Sequence, residues 1–140
     1  MSSGAPSSTP ALGYVILYVE SLDRAISFYC EALGFQLKFR QGPYGELVTG
    51  ATTLALSERA FVREHIFGGV ELPLAGQGCS EIGVLVPEAE VDGLYRRAVQ
   101  AGAQAVVEPV AQPWGQRISY VRDLDGHLVE ICSPVSRVSR

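Results

Sequence analysis

The stretch YVILYVESLDRAISFYCEALG, residues 14–34, places a strand before an amphipathic helix and ends at a glycine. Its first six residues are apolar and rich in β-branched side chains, which predicts a central strand covered on both faces. After a capping serine at Ser21, apolar residues recur at spacings of three and four from Leu22 to Leu33, and Gly34 ends the helix. The stretch therefore predicts a strand followed by a helix that packs on it.

The same order of features returns in the second half of the chain. Residues 81–102, EIGVLVPEAEVDGLYRRAVQAG, again read as strand, helix and glycine, with the helix-ending glycine at Gly102. A Pro-aromatic-Gly turn follows in both halves, at residues 43–45 and 113–115. Because the spacing between the copies changes only at loops, we infer that one supersecondary unit has been duplicated. The sequence therefore predicts two tandem βαβββ modules.

Three shorter strands complete each predicted module. They are expected near residues 35–41, 45–50 and 52–57 in the first module, and near 103–108, 116–122 and 127–132 in the second. The last two strands are joined by Asp123-Leu124-Asp125-Gly126, a hairpin signal because Asp and Gly both tolerate positive φ. His127, directly after this turn, is predicted to be exposed.

The composition describes one soluble domain with no affinity for nucleic acid. A chain of 140 residues can bury a core without disulfides or metals. The net charge is −4 and no stripe of Lys or Arg opposes it, so a polyanionic partner is disfavoured. Cys30, Cys79 and Cys132 are too far apart in sequence to indicate a metal site or a disulfide framework. The chain shows neither a signal peptide nor a membrane segment, which predicts a cytoplasmic protein.

Changes in composition along the chain predict where the folded domain begins and ends. A disordered leader is expected at 1–11 and a tail at 134–140. A single domain between them is expected to consist of a module at 12–57, a connecting loop at 58–78 and a module at 79–133. The loop includes a possible short helix near 60–67, and its candidate ligand-facing residues are Phe61, His65 and Phe67.

Over residues 12–133 these motifs resemble the vicinal oxygen chelate superfamily, which includes glyoxalase I, extradiol dioxygenases, fosfomycin resistance enzymes and bleomycin resistance proteins. The residues that carry the resemblance are Leu17, Tyr18, Val19, Ser21, Leu22, Asp23, Arg24, Ala25, Phe28, Tyr29, Leu33, Gly34 and Phe35, then Arg122, Asp123, Asp125, Gly126, Leu128, Glu130 and Ile131. The resemblance implies an α+β fold in which two βαβββ modules form a curved mixed β-sheet, a half-barrel with its helices on the outer face. It also implies a homodimer with a small-molecule cleft.

In metal-binding members of that superfamily, ligands lie at the start of each module's first strand and on its last strand. The corresponding positions here are Tyr14, Ala55, Glu81 and Glu130, of which only Glu130 matches the usual ligand type. Zn, Ni and Fe sites generally rely on imidazole or thiolate ligands, and this set has neither. No metal or other cofactor is therefore expected, and if a divalent metal is bound, Glu81 and Glu130 are its predicted ligands.

Strand alternation predicts that these positions share the concave face of the sheet. Tyr14 and Tyr18 have the same parity, and the corresponding residues of the other strands are Thr53, Ala55, Ser57, Glu81, Gly83, Leu85, Leu128, Glu130 and Cys132. The residues of opposite parity, such as Leu54 and Ile131, are apolar and suit packing under the helices.

Two carboxylates in a partly dry cleft repel each other, and a cationic ligand would relieve that repulsion. The leading hypothesis is a metal-independent protein of the bleomycin-resistance type that binds a small cationic or aromatic molecule in an acidic cleft. Its candidate catalytic residues are Glu130, Glu81 and Tyr14, and its candidate ligand-binding residues are Tyr18, Tyr44, Trp114, Arg117 and His65.

Three other interpretations stay open at the level of sequence, so whether the protein is an enzyme is undecided. The first is a divalent-metal-dependent enzyme of the glyoxalase I type, a lyase, isomerase, dioxygenase or thiol transferase. The second is acid–base catalysis without metal, with Glu130 or Glu81 as the base and Tyr14 as a hydrogen-bond donor. In the third, the two carboxylates only form hydrogen bonds with Tyr14 and with neighbouring arginines such as Arg117.

Overall fold

A computed structural model describes residues 10–69 and 80–135 of the chain. They form two four-stranded mixed sheets with helices packed on one side, which confirms the predicted α+β fold of two βαβββ modules. The sheets are curved and are not closed into barrels. Most of the predicted leader and tail lies outside the described residues, as do Cys79 and residues 70–78 of the predicted connecting loop.

The first module contains four strands and one long helix. Its elements are β1 (Tyr14–Val19), α1 (Leu22–Ser27), β2 (Gln36–Gln41), β3 (Tyr44–Val48) and β4 (Thr53–Glu58). Helix α1 continues as a π-helical turn over Phe28–Ala32, in which the Leu33 amide donates to the Phe28 carbonyl at 3.1 Å. The sheet order is β1-β4-β3-β2, with β1 parallel to β4 and the other pairs antiparallel. Ser21 caps α1 as predicted, since its hydroxyl accepts from the Arg24 amide.

After the first module comes a short helix, α2 (Arg59–Phe61), which continues as a π-helical turn over Val62–Ile66. The second module then repeats the topology of the first. The elements of the module are then β5 (Ile82–Leu85), a 3₁₀ turn (Glu88–Glu90), α3 (Val91–Gln100), β6 (Gln104–Gln112), β7 (Gln116–Arg122) and β8 (Leu128–Cys132). The sheet order is β5-β8-β7-β6, and β6 runs four residues beyond the predicted strand. None of the helices within the described ranges has the length and hydropathy of a membrane span.

The two faces of each sheet differ strongly in burial. Leu56 on β4 and Ile131 on β8 are completely buried under the helices, in one apolar core that both modules share. The prediction that β1 is covered on both faces is wrong, because Tyr14 and Ile16 on its concave face are 57% and 45% exposed. An apolar run shows that a strand is hydrophobic, but what covers each face depends on the rest of the fold.

The turn between β7 and β8 fastens the two modules to each other. Asp123 is 5% exposed and accepts a hydrogen bond from the Tyr29 hydroxyl at 2.5 Å. The same carboxylate accepts from the backbone amides of Asp125 and His127 at 2.9 and 2.8 Å. Burial, followed by the charge of Asp123, raises the pKa of Tyr29 well above its usual range. The Tyr29 hydroxyl therefore remains a proton donor to this turn.

The predicted hairpin is confirmed, since β7 and β8 pair antiparallel across this turn and Gly126 has a positive φ of 93°. The prediction for His127 is wrong. His127 is half-buried instead of exposed, and its Nε2 lies 2.9 Å from the Tyr18 carbonyl oxygen of the first module. The physical reason is that Asp123 binds the turn amides and directs His127 toward β1.

Gly102, after α3, is a position where we expect a side chain to destabilise the fold. Its φ is +112°, and an added Cβ would lie 3.1 Å from Leu124 Cδ2. We therefore expect Gly102→Ala to lower the free energy of unfolding by about 1 to 3 kcal/mol, measured by urea denaturation. Gly13→Ala is the control, because a Cβ there meets no atom within 4 Å and its φ is not positive. Equal stability of the two variants would contradict this prediction.

Candidate functional site

An acidic cluster lies on the concave face of the second module. It consists of Glu81, which directly precedes β5, Tyr120 on β7, and Glu130 and Cys132 on β8. The sheet register brings them together, since Glu130 is the neighbour of Gly83 on one side and of Tyr120 on the other. The Tyr120 hydroxyl donates to Glu81 Oε2 at 3.2 Å. Two of the predicted catalytic residues, Glu81 and Glu130, are thus close together.

Burial and the negative charges of the acidic cluster raise the pKa values of three of its members, Glu130, Tyr120 and Cys132. Burial, and then the nearby charge of Glu81, raises the pKa of the Glu130 carboxyl, although hydrogen bonds with Cys132 and Tyr120 act in the other direction. Burial and the two carboxylates raise the pKa of Tyr120 to about 12 and that of the Cys132 thiol to about 11. Tyr120 and Cys132 are therefore neutral hydrogen-bond donors at neutral pH, and the charge of the cluster comes from the carboxylates.

The ion pairs of three basic side chains, Arg117, Lys38 and Arg40, do not involve this cluster. Arg117, which the sequence suggested as a neighbour of the carboxylates, donates to both oxygens of Asp92 at 2.7 and 2.9 Å. Lys38 lies 3.7 Å from Glu46, and Arg40 pairs with Asp23. These three basic side chains are thus paired with other carboxylates and do not neutralise Glu81 and Glu130.

Gly83 is exposed on β5 and lies beside the Glu130 carboxylate. A Cβ added at this position would lie 3.8 Å from Glu130 Oε1, at ordinary contact distance, and the glycine has no such atom. Any larger residue on this part of β5 would therefore cover the carboxylate. The absence of a side chain at Gly83 keeps one face of Glu130 accessible to a ligand.

The first module has a carboxylate that the sequence analysis did not single out as a site residue. Glu46 on β3 is 7% exposed and accepts from the Tyr44 hydroxyl at 2.7 Å. Burial and Glu46 raise the pKa of Tyr44 to about 12, and Tyr14 adds to this shift. Tyr14 and Tyr44 thus lie close to each other and to Glu46 on the first module, away from the acidic cluster. The sequence suggested a hydrogen bond from Tyr14 to Glu81 or Glu130, but Tyr120 makes this bond, to Glu81.

The other predicted ligand-binding side chains have partners outside the acidic cluster. Trp114 is exposed and its indole N–H donates to Gln116 Oε1 at 2.8 Å. His65 is exposed on the π-helical turn after α2, and its ring lies 5.1 Å from that of Phe61. Phe67 is exposed, and Tyr18 is half-buried on β1. The partners of Trp114 and His65 thus lie outside the acidic cluster.

The donor set at the acidic cluster does not fit a transition-metal site. Among residues 10–69 and 80–135, no group of three His, Cys, Asp or Glu side chains is arranged to hold a metal ion. Ala55, at one of the four predicted ligand positions, is completely buried and has no donor atom. Tyr14, at another, lies beside Tyr44. The remaining carboxylates have no imidazole partner, and the one sulfur donor in the cluster is the Cys132 thiol, which is neutral because burial and Glu130 raise its pKa to about 11. The residues present therefore do not match the ligands that Zn, Ni or Fe sites usually have.

A slot with a volume of about 490 Å³ lies between the two sheets. The first module lines it with Val15, Phe35, Thr49, Thr52 and Leu54, and the second with residues 81–85. A volume of this size is within the range of small-molecule sites. Because Glu81 belongs to both the slot and the acidic cluster, the two regions are contiguous.

Comparisons with known proteins agree with the fold. A protein-family model described as the Glyoxalase/Bleomycin resistance protein/Dioxygenase superfamily matches residues 11–131. An uncharacterized protein from Mycolicibacterium smegmatis is 32% identical over 124 residues, which cover 88% of this chain and 93% of that protein.

Solved structures give the same result. A glyoxalase-related enzyme from Fulvimarina pelagi superimposes with a TM-score of 0.80 at 25% identity, covering 94% of this chain and all of that one. TioX from Micromonospora sp. ML1 superimposes with a TM-score of 0.65 at 28% identity, covering 89% of this chain and 98% of that one.

Proposed function

Since this chain belongs to the glyoxalase/bleomycin resistance protein/dioxygenase superfamily, we propose that it binds a small cationic molecule through the acidic cluster of its second module. The observation that carries the proposal is that Glu81 and Glu130 lie close together on one sheet, where burial, and then the charge of Glu81, raises the pKa of Glu130. A bound cation would relieve this repulsion and the burial penalty together. An anionic ligand would increase both.

Each member of the cluster has a distinct part in this proposal. Glu130 accepts hydrogen bonds from the cationic group, which approaches through the open space at Gly83. Tyr120 donates to Glu81 and thereby fixes the orientation of that carboxylate. The exposed ring of Trp114 is held by Gln116, which also forms a hydrogen bond with Cys132 of the cluster, and it can stack on an aromatic ligand.

The proposal includes a homodimer. Several apolar side chains on the strands are exposed in a single chain, among them Tyr14, Ile16, Phe39 and Val48. Exposed apolar side chains concentrated on sheet faces are typical of surfaces that bind a partner or a ligand. A second copy that covers part of these faces would turn the open concave face into a cleft.

We expect Glu130→Gln to weaken binding of a cationic probe by at least about tenfold, because a charge-assisted hydrogen bond contributes roughly 1.5 to 3 kcal/mol. The probe is benzylamine, and its neutral counterpart is benzyl alcohol. Affinity is measured by isothermal titration calorimetry at pH 7 and pH 5, with chelator present so that metal is excluded. Since the pKa of Glu130 is raised, the wild type should lose affinity toward pH 5 as the carboxyl is protonated.

Glu108→Gln is the matched control, because Glu108 is an exposed carboxylate on β6. It should bind benzylamine like the wild type. Equal affinity for benzylamine and benzyl alcohol, or an unchanged affinity in Glu130→Gln, would contradict a cation site at this cluster.

A further inference from the structure

We propose that the slot between the sheets is a second subsite, which takes an extended hydrocarbon arm of the same ligand. The ligand class is then a protonated amine that carries an unbranched or aromatic apolar arm. This inference rests on the proposed cation site, because it uses the acidic cluster to hold the amine. It adds a substrate class and a specificity site that the acidic cluster alone does not define.

The surface of the slot is suited to hydrocarbon. Its walls are formed mainly by the apolar side chains Val15, Phe35, Leu54, Ile82, Val84 and Leu85. Its two threonines have their hydroxyls engaged, since Thr49 Oγ1 donates to the Thr52 carbonyl and Thr52 Oγ1 donates to the Leu12 carbonyl. Thr49 Oγ1 also accepts from the Leu54 amide. Neither hydroxyl therefore has a free proton to donate to a ligand, and most of the slot surface is apolar.

The slot leads directly to the acidic cluster. Glu81 is its one acidic lining residue, and the same carboxylate accepts from Tyr120 on the concave face. Gly83 also lines the slot, and the position of its absent Cβ lies 3.8 Å from Glu130 Oε1. A ligand can thus place its ammonium group at Glu130 and pass along Gly83 into the slot.

The sheet topology leaves the slot open. Within the described part of the chain, β1 has β4 as its sheet partner and β5 has β8, so no strand ladder joins the two sheets across the slot. The modules are fastened instead at the turn around Asp123. The space between β1 and β5 is therefore available to an apolar group without breaking backbone hydrogen bonds.

The test is a chain-length series with the full chain. Dissociation constants are measured by NMR titration for propylamine, butylamine, pentylamine and hexylamine, and for the four corresponding alcohols. Because burial of one methylene contributes about 0.8 kcal/mol, each added methylene should tighten amine binding by about fourfold. The alcohols should bind at least about tenfold more weakly than the amines of equal length. Affinity that does not change along the amine series would overturn the slot proposal whatever any variant does.

A variant that fills the slot gives an independent readout. Leu85 lines the slot and its side chain is exposed, so Leu85→Trp adds volume there without entering the core. We expect this variant to lose most of the gain in affinity from propylamine to hexylamine. Leu37→Trp is the control, since Leu37 is exposed on β2 and does not line the slot. Retention of the full gain in Leu85→Trp would overturn the proposal.

The outcomes separate this inference from the proposed function. If Glu130→Gln leaves propylamine binding unchanged, the cation site itself is wrong. If propylamine binds through Glu130 but longer amines gain nothing, only the slot assignment is wrong. If the alcohols bind as tightly as the amines, the slot takes neutral apolar ligands and the amine class is wrong. If Leu85→Trp changes the oligomeric state on size-exclusion chromatography, the slot is an interface between copies and the subsite is overturned.

Discussion

Replacement of Asp123 by alanine is expected to lower the free energy of unfolding by about 3 to 5 kcal/mol. The buried carboxylate accepts three hydrogen bonds, one from the Tyr29 hydroxyl and two from the backbone amides of Asp125 and His127. Its removal leaves a buried phenol and two turn amides without this acceptor. It also removes a contact between the modules, since Tyr29 belongs to the first and Asp123 to the second.

Guanidinium denaturation followed by circular dichroism measures this effect. Asp123→Asn should lose less, about 1 to 2 kcal/mol, because the amide oxygen still accepts from the backbone. Asp23→Ala is the surface control, since the Asp23 carboxylate is mostly exposed and its pair with Arg40 is worth less than about 1 kcal/mol. A loss below about 1 kcal/mol in Asp123→Ala would show that other contacts hold the modules together.

Ile131→Ala is expected to lower the free energy of unfolding by about 3 to 4 kcal/mol, because it creates a cavity under the helices. Ile131 on β8 is completely buried in the core that both modules share, and α3 packs on this strand. The measurement is urea denaturation at low protein concentration. A loss below about 1 kcal/mol would mean that this face of β8 is less tightly packed than the structure indicates.

Ile16→Ala is the matched variant on the opposite face, where the side chain is nearly half exposed. In a single chain it should cost less than about 1 kcal/mol. If a second copy covers this face, the cost should rise with protein concentration, because association then contributes to stability. A concentration-independent value, together with a monomer in analytical ultracentrifugation, would contradict the proposed homodimer.

The fold was predictable because its determinants are local and repeated. The apolar periodicity of α1, its cap at Ser21 and its ending at Gly34 are each set by neighbouring residues. The second copy of the same pattern then restricted the architecture to two equivalent modules. The burial of β1 was predicted wrongly, because which face of a strand is covered depends on elements far away in sequence.

The site was only partly predictable, since its contacts cross between strands. Glu81 and Glu130 were found by their parity, but Tyr120 was missed although a signal for it existed. The turn at Asp123 sets the register of the last hairpin, and counting back across it places Tyr120 opposite Glu130. The same counting on the first module would have placed Glu46 opposite Ala55.

The contact between Tyr29 and Asp123 could not be predicted from any local pattern. The two residues are 94 positions apart in the sequence. The local sequence explains Tyr29 as part of the apolar stripe of a helix and Asp123 as a turn residue, and neither explanation requires the other residue. Their meeting depends on how the two modules pack. Such contacts between modules are what the structure adds to the sequence.

The thiol of Cys132, which is buried beside Glu130, is kept in its unreactive protonated form. With a pKa of about 11, only about one thiol in ten thousand is ionised at pH 7. Peroxides and alkylating agents attack the thiolate, so we expect Cys132 to react with them more slowly than a cysteine of ordinary pKa. The burial and the carboxylates that raise this pKa thus also protect the thiol of the acidic cluster from oxidation.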